Sequence, residues 1–243
     1  MAIRINKVGT TNSEITAFDP ISKRLYVIAA SVVDIYTVGS TGAWINVGKL
    51  APGFTPASAT AAPNSIAIKN GIVAVAYEIK DTATGTHQRG RVSFFDAVNG
   101  NFINSVEVGF LPDMLTFTPD GKKVLVANKE EPNENYSFDP EGSLSIIDLT
   151  NGPNSATVQE AKFNAFNSQL ATLRSQELRV TGNNATLSQD LEPEYIAVSP
   201  DGLTAAITLQ EANAIAFLDI ASGTITNIKP LGLKNHNLVG WRL

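Results

Sequence analysis

The sequence predicts an all-β protein built from repeated four-stranded sheets, and three observations carry that reading. The stretch TFTPDGKKVLVANKEEP, Thr116 to Pro132, returns further on as AVSPDGLTAAITLQEAN, Ala197 to Asn213. Turns of the form Asp-x-x-x-Gly recur, closing at Gly100, Gly152 and Gly223. Between turns the chain runs in short stretches of Val, Ile, Leu, Phe and Thr, such as KKVLVAN and AIAFLDI. Several of these stretches are apolar on both faces. A strand buried on both sides lies between two other layers, as in the blades of a β-propeller.

Four units align: Ser13 to Gly42, Pro63 to Gly100, Pro112 to Gly152 and Pro193 to Gly223. Each reads strand, tight turn, strand, loop, strand, Asp-containing turn, strand. In the third and fourth units the first turn is Pro-Asp-Gly. Pro presets φ, and Gly takes the left-handed position. In the second unit Asn70-Gly71 does this work, a strong hairpin signal between apolar runs. At the second turn, Asp96, Asp148 and Asp219 can accept hydrogen bonds from the turn's own N–H groups. About four blades are therefore expected, in a single domain over residues 1–243.

The spacing of the units also places an insert. Glu14, Asn64 and Asp113 open successive units at near-equal intervals, but the next interval, to Glu194, is much longer. The excess holds EAKFNAFNSQLATLRSQEL, in which Phe163, Phe166, Leu170 and Leu173 share one helical face. An amphipathic helix over about 160–178, inserted after the third blade and lying on the propeller surface, is predicted.

Composition excludes several function classes. Formal net charge is −5, and the one basic cluster, HQRGR at His87 to Arg91, reads as a short solvated loop. Nucleic acid and anionic membranes select basic surfaces, so neither is an expected partner. No apolar run has the length that spans a bilayer, and MAIRINKVGT has no apolar core of a secretion leader. Without cysteine there is no thiol nucleophile and no Cys-ligated zinc. There is no Gly-x-Ser-x-Gly elbow and no phosphate-binding glycine loop. The two histidines, His87 and His236, read as loop residues, and Trp44 and Trp241 as packing residues.

The motifs LPDMLTFTPDGKKVLVANKEEPNENYSFDPEGSLSIIDL and DLEPEYIAVSPDGLTAAITLQEANAIAFLDIASG resemble the choice-of-anchor I domain. That family stands among the YVTN/lactonase-like β-propellers, and the resemblance runs from about Ser13 to Asn235. It implies a secreted or cell-surface propeller, usually seven-bladed. It also implies further blades after LVGWRL, with IRINKVGT as an outer strand of the last. Four blades alone would form a partial ring whose open apolar faces self-associate.

Candidate chemistry lies at the funnel rim. Glu14, Asn64, Asp113 and Glu194 open the innermost strands. One loop later stand Glu130, Glu131 and Glu211, with Asp81 roughly equivalent in the second unit, and Glu192 flanks Pro193. Repeat folds map equivalent positions onto one face, so Asp113, Glu130, Glu194 and Glu211 are expected together. Asp113, Glu130, Glu192, Glu194 and Glu211 could then hold Ca²⁺ through hard oxygen ligands. The simpler reading, which comes first, makes them solvated rim residues or acceptors for N–H groups of adjacent blades. No EF-hand spacing is present. The expected function is a non-catalytic module that binds a protein or small-molecule ligand on the funnel face. The alternative is a calcium-dependent phosphoester hydrolase of the phytase or alkaline-phosphatase propeller kind, with lactone hydrolysis a third reading.

Overall fold

The structure is a computed structural model and describes residues 13–133, 135–182 and 184–233. It is a β-propeller of the lactonase-like type, with four antiparallel sheets of four strands each. The first blade is β1 (Ser13–Asp19), β2 (Arg24–Ala29), β3 (Val32–Val38) and β4 (Trp44–Leu50). The second is β5 (Ala59–Lys69), β6 (Ile72–Asp81), β7 (His87–Asp96) and β8 (Phe102–Phe110). The third is β9 (Pro112–Phe117), β10 (Lys123–Asn128), β11 (Ser143–Asp148) and β12 (Thr157–Lys162). The fourth is β13 (Ile196–Val198), β14 (Thr204–Leu209), β15 (Ala214–Asp219) and β16 (Thr224–Pro230). In each blade the strands pair in chain order.

The repeated phrase is a repeated turn. Gly121 N–H donates to Thr118 O at 2.9 Å, and Gly202 N–H donates to Ser199 O at 2.9 Å. Thr118 and Ser199 then bond Asp120 and Asp201 at 2.7 and 2.6 Å. Gly121 and Gly202 have φ of 74° and 73°, the left-handed region that glycine reaches without steric cost. Asn70 and Gly71 both have positive φ, as a two-residue hairpin turn requires. Asp96, Asp148 and Asp219 accept from backbone N–H groups two or three residues on.

Alternation along each middle strand explains the two-sided apolar pattern. Val73, Val75 and Tyr77 pack toward the first blade, while Ala74 and Ala76 pack toward the third. Val124 and Val126 face the second blade, while Leu125 and Ala127 face the fourth. Three apolar layers thus separate successive blades, and removal of this surface from water stabilises the stack. Among the described residues no apolar cluster joins the first blade to the fourth. Polar ties repeat beside these layers. Asn64 Nδ2 donates to Pro112 O at 3.2 Å, and Asn70 Nδ2 to Asp120 O at 3.2 Å.

Three expectations need correction. The helical segment is shorter than 160–178, because 160–162 end the outer strand β12. It is a 3₁₀ stretch, Asn164–Gln169, running into α1 (Leu170–Ser175). Its predicted face is nonetheless the buried one, with Phe163, Phe166 and Leu173 in the layer between the third and fourth blades. A second short helix, α2 (Leu187–Asp190), follows it, started by a capping box on Thr186. HQRGR is not a solvated loop but the start of β7. Its Gly90 is buried, and the Arg91 guanidinium lies 5.3 Å from the Phe54 ring centroid. Finally, Glu194 precedes β13 rather than opening it, and donates its N–H to Thr208 O at 3.1 Å. IRINKVGT, His236 and Trp241 lie outside the described residues.

Candidate functional site

The ends of β9, β10 and β14 bring acidic residues together, with a lysine at their centre. Lys129 follows β10 immediately. Its Nζ lies 3.1 Å from Glu131, 3.3 Å from Glu194, 3.6 Å from Glu211 and 3.9 Å from Glu192. Burial works against the Lys129 ammonium, but Glu131, Glu211 and Glu194 outweigh it and hold its pKa above the ordinary lysine range. Burial, with Glu211 beside it, pushes Glu192 up to about 7. Burial and the neighbouring Glu211 raise Glu194 as well. Burial also opposes ionisation of Glu211, but its contacts with Glu194 and Lys129 keep its pKa lowered. Gln210 Nε2 donates to Glu194 Oε2.

Asp113, Glu192, Glu194 and Glu211 thus share one end of the third and fourth blades. Asp113 is half-buried, and its pKa is raised by burial. The positive Lys129 opposes that rise, while Glu131, Glu211 and Glu78 add to it. Glu130 does not join them. Its backbone is left-handed, with φ 56°, whereas that of Glu211 is not. The Glu130 side chain runs instead toward the outer strands, where it is 3% exposed and accepts from the Phe110 N–H. Burial there, reinforced by Glu160, pushes it up to about 8, and Glu130 Oε2 has no hydrogen-bond partner. Asp81 lies apart too, capping its own turn by accepting from Ala83 and Thr84 N–H groups.

Lys129 stands where a bound cation would have to sit among these carboxylates. Among the described residues no group of three or more His, Asp or Glu side chains is arranged to hold a metal ion. As arranged, the donor set fits an ammonium.

Beside this cluster lies a cavity of about 350 Å³. The second blade contributes Glu78, Lys80 and His87, and the third contributes Asp113, Lys129 and Glu131. Ile15 and Ile28 of the first blade give it an apolar wall. His87 and Glu78 were not among the expected site residues. His87 Nδ1 stands 3.6 Å from Glu78 Oε2, with the two side chains 11% and 16% exposed. Burial, and then Lys80, push the imidazole below its ordinary pKa, despite Glu78 and Glu131 nearby. One signal for Glu78 was present in the sequence. Lys129 and Gln210 stand eight residues after their turn glycines, and Glu78 seven after Gly71, whose hairpin is tighter. An adjoining cavity of about 540 Å³ shares Lys80, His87 and Glu131 and extends past Thr84, Asn133 and Phe138.

The fold is that of a lactonase-like β-propeller. The choice-of-anchor I domain model matches residues 14–240, and the chain belongs to that family. No curated protein sequence matches it significantly. Among solved structures it is similar to a periplasmic gluconolactonase of Pseudomonas aeruginosa, with TM-score 0.58 and 12% identity over 94% of this chain and 60% of the other. It is also similar to a putative 6-phosphogluconolactonase of Bacteroides uniformis, with TM-score 0.55 and 13% identity over 93% and 59%. A third is the β-propeller domain of a Myceliophteria thermophila protein, with TM-score 0.53 and 10% identity over 87% and 57%. The chain spans less than two thirds of the length of each. At such identities the likeness concerns the fold alone. Among the described residues no helix is long and apolar enough to cross a membrane.

Proposed function

We propose that this chain is a ligand-binding module of an exported or cell-surface protein, and that it takes a small polar ligand in the charged cavity. The carrying observation is convergence. Three neighbouring blades close one cavity whose charged groups come from two of them, at the end where propeller loops meet. The family supports the cell-surface part of the reading. The cavity lining supports a ligand held by charge and hydrogen bonds, since it carries carboxylates, lysines and an imidazole.

A calcium-dependent phosphoester hydrolase is the second reading, favoured by the meeting of Asp113, Glu192, Glu194 and Glu211. For that chemistry Lys129 would have to give up its place to the ion. The two readings separate in one experiment. Thermal melts are run against panels of small cations, anions and neutral polyols, beside turnover of a chromogenic phosphoester and a lactone with calcium and with chelator. A binding module gains melting temperature from one ligand class, by linkage, and turns over neither substrate. Calcium-dependent turnover abolished by chelator would replace the binding reading with the hydrolase. Metal-independent opening of the lactone would likewise replace it with an enzyme.

A further inference from the structure

We infer that the cavity's ligand is an organic cation, a small diamine or polyamine whose primary ammonium enters between Glu78, Asp113 and Glu131. The inference rests on the binding reading above and deepens it. Three carboxylates from two blades line the cavity, against two lysines. Lys129 is already shared among four carboxylates, three of which lie at its far side on or near the fourth blade. Lys80 Nζ lies 3.1 Å from Glu78 Oε2 but out of hydrogen-bonding alignment. His87 contributes no compensating charge at neutral pH, because burial disfavours its protonated form. The cavity is therefore electronegative, and an anionic ligand would add to the repulsion already there.

A second observation points the same way and does not depend on charge counting. Glu78 Oε2 and His87 Nδ1 are both shielded from solvent, and neither makes a hydrogen bond. They lie 3.6 Å apart on the cavity lining. His87 Nδ1 has no partner, and Glu78 Oε2 has only the poorly aligned Lys80 ammonium, so their desolvation is only partly compensated. An ammonium offers three N–H donors from one centre, enough to satisfy both and to reach a carboxylate across the cavity. The adjoining cavity suits the remainder of such a ligand. Thr84, Thr86, Asn133 and Asn135 line it with uncharged polar groups, and Phe138 adds an apolar face. A cavity of about 540 Å³ has room for an alkyl chain bearing a second amine, where a compact ion would leave most of it empty.

The test is titration calorimetry with cadaverine and spermidine, with pentanediol, glutarate and calcium as controls, at low and at high salt. Both amines are expected to bind, more weakly as salt rises, and the diol and glutarate to give no heat. Glu78→Gln and Asp113→Asn are each expected to weaken amine binding about tenfold, the loss of one charge-assisted contact. Melting of the unligated variants shows that they fold; Asp113→Asn removes repulsion and is expected to melt no lower than wild type. Amine binding equal in wild type and both variants would overturn the inference, as a non-specific surface effect. Binding of glutarate, the diol or calcium without the amines would overturn it and leave the module reading in place. Absence of binding by every ligand class would overturn both.

Discussion

The third and fourth blades begin with the same phrase and end it differently. Through the turn they are near copies. Thr118–Gly121 and Ser199–Gly202 repeat the same hydrogen bonds, most of them to within about a tenth of an ångström. Past the second strand they diverge. Glu211 reaches the Lys129 cluster, whereas Glu130, its counterpart in the phrase, is buried toward the outer strands. The strand pairing shows where the divergence starts. The register of β9 with β10 shifts between Ala127 and Asn128, while the ladder of β13 with β14 ends at Ile207, before the equivalent positions. Turn geometry is local and copies with the sequence. Side-chain direction after an irregular strand end depends on the backbone, and a single left-handed residue redirects it.

The comparison is tested most severely at the two glycines. Both hold left-handed conformations, but their surroundings differ. A Cβ on Gly121 would meet Asn70, which is bonded across the blades to Asp120, whereas one on Gly202 meets only Pro119 Cδ at 3.6 Å. Gly121→Val is expected to cost about 3 kcal/mol in urea denaturation, the sum of backbone strain and a broken inter-blade contact. Equal losses for Gly121→Val and Gly202→Val would show that the turns act independently of their neighbours.

Lys129→Met comes next. It leaves Glu131, Glu192, Glu194 and Glu211 facing one another without a cation, and an expected loss of about 2 kcal/mol at neutral pH. The sign follows from the carboxylates. Without the lysine the raised pKa values of Glu192 and Glu194 rise further above the unfolded value and Glu211 loses a partner that lowers its own, so the loss should shrink as pH falls toward about 4. A loss unchanged on acidification would mean that Lys129 acts by packing alone.

Glu130→Gln probes the other branch. The folded pKa, about 8, lies above the ordinary 4.5. The folded state therefore holds a proton that the unfolded chain releases, and stability falls as pH rises from about 4.5 to about 8. The variant is expected to match wild type near pH 4 and exceed it by about 1–2 kcal/mol near pH 9. Parallel pH profiles for the two proteins would contradict the buried placement of Glu130. The smallest effect should come from Gly202→Val, about 1 kcal/mol, from backbone strain without a clash.

Most of the architecture was legible because its signals are local and repeated. Asn70-Gly71, the two Pro-Asp-Gly turns and the Asp-x-x-x-Gly turns each fix a reversal within a few residues. The two-sided apolar strands then required stacked sheets. The rim was legible in part. Repeat equivalence brings Asp113, Glu194 and Glu211 to one end of the blades, but it misplaced Glu130 and passed over Lys129, Glu78 and His87. HQRGR looked solvated because it is polar, and its burial follows only from the pairing of β7 with β6 and β8.

The sequence by itself determined the strands, the turns, the four sheets of the described residues and the presence of a helical segment after the third blade, since these follow from periodicity and turn chemistry over short spans. Only the tertiary structure decided which charges meet. Lys129 and Glu211 are far apart in the chain and lie 3.6 Å apart across two blades. Glu78 and His87 become cavity neighbours through the pairing of β6 with β7, and face Asp113 only because the third blade stacks on the second. Electrostatic energy depends on distance and burial, and neither is set by residue order until the sheets are packed.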